Sequence, residues 1–148
     1  MEYSTKQAGS LYEQIFVVEA MRRGLEPHLP IGDFLPHDVV VYGGGVCWRV
    51  QVKGTATESR DERRRNLRGR FRITAATGMS TKKIIDCRHV DILAAYIAPW
   101  DLWYLIPCEE IKSKCCWFYP DQSPDGSKHG KPPSGKFEKF KNDWEVFS

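Results

Sequence analysis

Residues 38–53 run Asp38-Val39-Val40-Val41-Tyr42, then Gly43-Gly44-Gly45, then Val46-Cys47-Trp48-Arg49-Val50-Gln51-Val52-Lys53. The first run is β-branched and the glycines supply the turn chemistry that joins antiparallel strands, so the stretch predicts a hairpin. In the second run Trp48, Val50 and Val52 alternate with Cys47, Arg49, Gln51 and Lys53, giving one apolar face and one polar face. A short glycine turn sets the start of one strand opposite the end of the other. Asp38 is thereby expected to meet Gln51 and Lys53 at the open end of the hairpin.

Upstream, Leu11, Ile15, Val18 and Met21, with Tyr12, Phe16 and Val17 beside them, follow helical spacing. A helix is predicted over residues 10–23, with Ser10 as N-cap, Gly24 ending it and Pro27 preventing its resumption. Glu13 lies on it. Downstream, strand character returns at Phe71–Ala75, and a strand pair is expected at Val90–Ile97 and Trp103–Ile106, turning at Ala98-Pro99-Trp100-Asp101. From these residues alone the sheet is mostly an antiparallel meander. Residues 119–135, rich in proline and glycine, are expected to form a long loop, and Phe137, Phe140 and Trp144 a short terminal helix docked by its aromatics.

The chain of 148 residues is 41% hydrophobic and 28% charged, within the range of one soluble globular domain, and residues 1–148 are taken as one. No stretch reaches the roughly 18 apolar residues of a membrane helix. The polar residues 1–10 lack the core of a signal peptide, so an intracellular, cytoplasmic protein with reduced thiols is expected. Cys47, Cys87, Cys108, Cys115 and Cys116 contain no C-x-x-C pair, which speaks against zinc.

Charge is unevenly placed. Residues 1–52 carry four basic and six acidic side chains, whereas residues 53–88 carry eleven basic and four acidic. Within residues 58–72, seven arginines (Arg60, Arg63, Arg64, Arg65, Arg68, Arg70, Arg72) stand against three acids, and Lys82 and Lys83 follow. Arginine offers paired donors to phosphate oxygens, so this segment is the candidate DNA-binding region.

Glu13, Asp38, Gln51 and Lys53 form the candidate site, because oxygen ligands beside an ammonium suit a magnesium ion and a phosphate. Pro36-His37-Asp38, twelve residues, then Gln51-Val52-Lys53 resembles the PD-(D/E)XK nuclease signature, with Gln51 in place of the usual acid. The helix carrying Glu13 resembles the start of archaeal Holliday junction resolvases and of group I intron-encoded homing endonucleases. The Q-x-K variant and the tail Ser134-Gly135-Lys136-Phe137-Glu138-Lys139-Phe140 with Trp144 favour the latter.

The resemblance implies an α+β fold in the α/β class: a restriction-endonuclease-like core with a mixed central sheet and flanking helices. It implies Mg²⁺-dependent cleavage of DNA, with Mn²⁺ able to substitute. Asp38, the Gln51 amide oxygen and the Val52 carbonyl would bind the metal, Glu13 would hold a second ion or a water of its shell, and Lys53 would orient or deprotonate the attacking water. The implied partner is double-stranded or branched DNA, cut by a homodimer or homotetramer associated with the nucleoid through its substrate. A Holliday junction resolvase and a catalytically inactive DNA-binding module are the alternatives, the second because a neutral Gln51 weakens the metal cage.

Overall fold

The computed structural model describes residues 2–59, 70–77, 81–120 and 135–148. Its helix α1 spans Thr5–Arg22, starting before the expected residue 10, because Ser4 rather than Ser10 is the N-cap. Ser4 accepts from the Gln7 backbone N–H while the Gln7 side chain accepts from the Ser4 N–H, a reciprocal capping box. At the other end Gly24 has φ +75°, the left-handed conformation expected of it.

Strands β1 (Glu26–His28), β2 (Val39–Gly43) and β3 (Val46–Thr55) come next. The predicted hairpin is β2–β3: Val39 pairs with Val50, and Gly44 and Gly45 both have positive φ, as a two-residue hairpin turn requires. β1 was not anticipated; its Pro27 lacks an N–H, which suits the sheet edge it occupies.

Then follow β4 (Phe71–Thr74), β5 (Ala76–Thr77), β6 (Lys83–Ile84), β7 (Ile92–Ile97), β8 (Leu102–Pro107) and β9 (Cys115–Phe118). The main sheet has the order β1-β2-β3-β7-β8, with all pairs antiparallel except β3 and β7, which run parallel. The antiparallel meander is corrected on this point, while the mixed sheet is as expected. A parallel pair needs a long crossover, which residues 56–91 supply. All six residues of β7 are buried, as befits a strand covered on both faces.

β7 divides the core. Ile92, Ala94 and Tyr96 face α1 through Phe16, Ala20, Val50 and Val52, while Leu93, Ala95 and Ile97 face the β4–β9 ribbon through Phe71, Ile73 and Phe118. The buried stripe of α1 is Phe16 and Ala20, flanked by Tyr12, Ile15 and Val17; Val18 and Met21, expected inside, are 50% and 62% exposed, and Leu11 is exposed too. The terminal helix is instead two 3₁₀ turns, Glu138–Phe140 and Trp144–Phe147, whose aromatics still dock on the core.

The expectation of reduced thiols is corrected at one pair, for Cys87 and Cys108 form a disulfide. Cys115 and Cys116 are neighbours on β9 and so point to opposite sides, one exposed and one buried. Burial pushes the Cys116 thiol up to about 11, so it stays protonated. No described helix is long and apolar enough to cross a membrane.

Candidate functional site

Asp38 enters β2 with its N–H donating to the Val50 carbonyl (2.9 Å), and its Oδ2 accepts from the Val52 N–H (2.7 Å). The side chain is thus pinned to β3 between Gln51 and Lys53. Val50 and Val52 face α1, so alternation sends Gln51 and Lys53 to the other side of β3. Gln51 is only 5% exposed, and its Nε2 donates to the Pro36 carbonyl (3.2 Å).

Glu13 reaches the same place from α1. Its pKa is raised, first by burial and then by the negative charge of Asp38, with Lys53 acting in the opposite sense. The Asp38 carboxyl is likewise raised, chiefly by burial, while the Val52 N–H, Lys53 and His37 lower it. Lys53 therefore acts electrostatically on both carboxylates, so Glu13, Asp38 and Lys53 lie within electrostatic range of one another, while Gln51 stands two residues before Lys53 on β3 with its amide on the Pro36 carbonyl. Two partly buried carboxylates within range of each other's charge form a negative spot that suits a cation.

One atom tests whether a cation fits. Gln51 Oε1 is buried and has no hydrogen-bond partner among the described residues. An orphaned acceptor of this kind costs free energy unless a ligand meets it. An amide oxygen, like a carboxylate oxygen, is a hard donor of the kind Mg²⁺ takes. Among the described residues no group of three or more His, Cys, Asp or Glu side chains that could hold a metal ion is found.

Three supporting contacts escaped the sequence reading. A Cβ on Gly54 would lie 2.4 Å from the Tyr12 ring, so the glycine after Lys53 lets α1 approach β3 and brings Glu13 within range. Arg49 donates through its N–H, Nε and Nη2 to the Asp91 carboxylate and through Nη1 to the Arg88 carbonyl, clamping the start of the parallel pair. The third is the Pro36 carbonyl. Only Gly54 carried a visible signal, a glycine inside a strand pattern.

Of the candidate DNA-binding residues, Arg60, Arg63, Arg64, Arg65 and Arg68 lie outside the described residues. Arg72, Lys82 and Lys83 are exposed, and the Arg70 guanidinium lies 3.6 Å from the Trp117 ring centroid. Trp117 is thus a stacking partner rather than a free aromatic, Trp103 and Phe118 belong to the core, and Trp100 stays half exposed. Glu19, the other carboxylate well inside α1, is engaged by Arg22 and Arg23.

A comparison with curated proteins returned no match. Among solved structures, the chain is similar to a bacterial homing endonuclease, I-Ssp6803I, with a TM-score of 0.70 and 21% identity over 98% of this chain and 91% of that one. The similarity establishes a shared restriction-endonuclease-like fold. The sequence profile of the PD-(D/E)XK endonucleases matches residues 3–118, and the chain therefore belongs to the PD-(D/E)XK endonuclease family.

Proposed function

We propose that the protein is a Mg²⁺-dependent DNA endonuclease of the homing or restriction-like kind, which hydrolyses phosphodiester bonds in double-stranded DNA at the end of the β2–β3 hairpin where Asp38, Gln51 and Lys53 stand. The observation that carries this reading is the mutual electrostatic influence of Glu13, Asp38 and Lys53, with the buried, unpartnered Gln51 Oε1 two residues before Lys53 on β3. Family membership supports nuclease chemistry, and the structural neighbour is itself described as a homing endonuclease.

Asp38, Gln51 Oε1 and the Val52 carbonyl would hold the cation, with Glu13 completing the cage from the helix or holding a second ion. Bound there, a divalent ion offsets the charge developing on the phosphate oxygens and makes a nearby water a better nucleophile. The Val52 N–H keeps Asp38 turned toward β3, so its second oxygen is left for the cleft. Lys53 supplies an ammonium that attracts the phosphate and orients or deprotonates the attacking water. The bond from phosphorus to the ester oxygen breaks, leaving the phosphate on one strand end and a hydroxyl on the other.

Arg70, Arg72, Lys82 and Lys83, with the arginines of residues 60–68, neutralise backbone phosphates along the duplex. Residues 1–148 are treated as one domain carrying one such cleft. Cutting both strands then takes a homodimer or homotetramer whose two-fold axis matches that of the duplex. The protein would work wherever the cell keeps its DNA.

The test is a substrate panel with Mg²⁺ or Mn²⁺: supercoiled plasmid, linear duplexes carrying varied sequence, and a four-way junction. Cleavage of duplex at defined positions is expected. Cutting confined to the junction replaces this reading with a resolvase, and salt-dependent binding with no cleavage of any form replaces it with an inactive binding module.

A further inference from the structure

The family's motif writes Asp or Glu where this chain has Gln51. An amide has a donor end and an acceptor end, whereas a carboxylate only accepts. Gln51 uses its two ends differently: Nε2 donates to the Pro36 carbonyl, and Oε1 is buried without a partner among the described residues. Because a carbonyl can only accept, reversing the amide would set two acceptors against each other, and so the Pro36 carbonyl decides which way the side chain faces.

Neither party can easily step aside. The Pro36 ring restricts its φ, and two residues on the Asp38 N–H is tied to the Val50 carbonyl at 2.9 Å. Gln51 sits between the buried Val50 and Val52 on a strand paired on both sides, against Val39 at Val50 and against Leu93 at Gln51 itself. With the side chain 5% exposed, water is poorly placed to mediate a new contact.

We propose that residue 51 is amide-specific in this chain: the Pro36 carbonyl is a positioning contact that fixes Gln51 with its NH₂ on that carbonyl and its oxygen left free to accept, and an ionised carboxylate cannot occupy that seat. What Oε1 meets rests on the metal-binding reading above; the seat itself does not. If Gln51 were simply a relaxed acid position, Gln51→Glu would add a charge to the cage and tighten Mg²⁺ binding. The Pro36 contact predicts the opposite, because the carboxylate loses a hydrogen bond and faces another acceptor.

The experiment uses the full chain without DNA, comparing wild type, Gln51→Glu and Gln51→Met by thermal melting and by calorimetric Mg²⁺ titration. Without metal, and at alkaline pH where the introduced carboxyl is ionised and cannot donate, Gln51→Glu should melt about 4 to 8 °C below wild type, and Gln51→Met, which loses the bond but adds no facing acceptor, should fall less. Gln51→Glu should bind Mg²⁺ no more tightly than wild type. A Gln51→Glu protein that melts with wild type, that melts with Gln51→Met, or that binds Mg²⁺ tenfold more tightly overturns the proposal.

Should Gln51→Glu fail to fold, wild type alone decides. Its Gln51 side-chain NH₂ should exchange with solvent at least tenfold more slowly than that of exposed Gln14, and equal rates overturn the proposal. If no protein binds Mg²⁺, the metal reading fails while the melting order and the exchange rate still decide the seat.

Discussion

Glu13 and Asp38 have their carboxyl pKa values raised from ordinary values of 4.5 and 3.8, with burial the first cause in both. A raised carboxyl means that the folded chain holds protons the unfolded chain has released. Metal-free stability therefore falls as pH climbs from the ordinary carboxyl value through the raised one, and the loss is complete above it. Asp91, lowered chiefly by its hydrogen bond from Arg49, contributes with the opposite sign, so the clean observable is a difference between variants. Asp38→Asn cannot ionise, yet its side-chain oxygen can still accept from the Val52 N–H. Without metal it is expected to match wild type near pH 3 and to melt progressively higher as pH rises toward neutrality. Added Mg²⁺ should then raise the wild-type midpoint and leave Asp38→Asn unmoved; parallel melting curves at every pH would contradict this account of Asp38. The placement of Asp38, Gln51 and Lys53 was legible in the sequence, because hairpin geometry and alternation fix where they stand. The Pro36 contact was not, since a loop carbonyl leaves no mark in residue type.

At the level of elements, α1 is held by its cap and by its approach to β3 at Gly54. Ser4→Ala should cost about 1 kcal/mol through loss of the capping box, while Ser10→Ala, inside the helix, should cost little; chemical denaturation of the pair checks the assignment. Gly54→Ala places a methyl against the Tyr12 ring, so a loss of about 1 to 3 kcal/mol is expected, along with weaker Mg²⁺ binding as Glu13 is pushed away. Unchanged stability and affinity would show that α1 tolerates the shift. The hairpin could be read because its period and turn are local. The helix start was misplaced because Ser10 directly precedes the apolar run whereas Ser4 is followed by polar residues, and the Gln7 side chain reaching back to Ser4 decides for the earlier cap. Val18 and Met21 fit the helical period yet lie outside, because the sheet is met by the neighbouring stripe through Phe16 and Ala20. The parallel register of β3 and β7 depends on the path of residues 56–91, which no local pattern encodes. β9 went unseen because its partner β4 lies far away in sequence.

Across the whole molecule, the sequence concentrates cations in residues 53–88, and the exposed side chain of Arg72 on β4 belongs to that region. If it meets a phosphate, Arg72→Ala should weaken binding uniformly across DNA sequences and lower the slope of log affinity against log salt by about 1. An unchanged slope would remove Arg72 from the interface, whereas a loss confined to one sequence would make it a base reader. The charge asymmetry was plain from composition. The Cys87–Cys108 disulfide was not, because it joins the turn after β6 to the end of β8, two segments placed together only by the folded sheet. The central claim is that Asp38 and Lys53 cleave DNA with a divalent ion, and plasmid nicking and linearisation by wild type, Asp38→Ala and Lys53→Ala, with Mg²⁺ and with chelator, tests it most directly. Wild type should cut only with Mg²⁺, and both variants should fall by at least about 100-fold, the scale on which losing a proton-transfer or charge-stabilising group acts. Cleavage that persists in either variant, or that survives chelation, would contradict it.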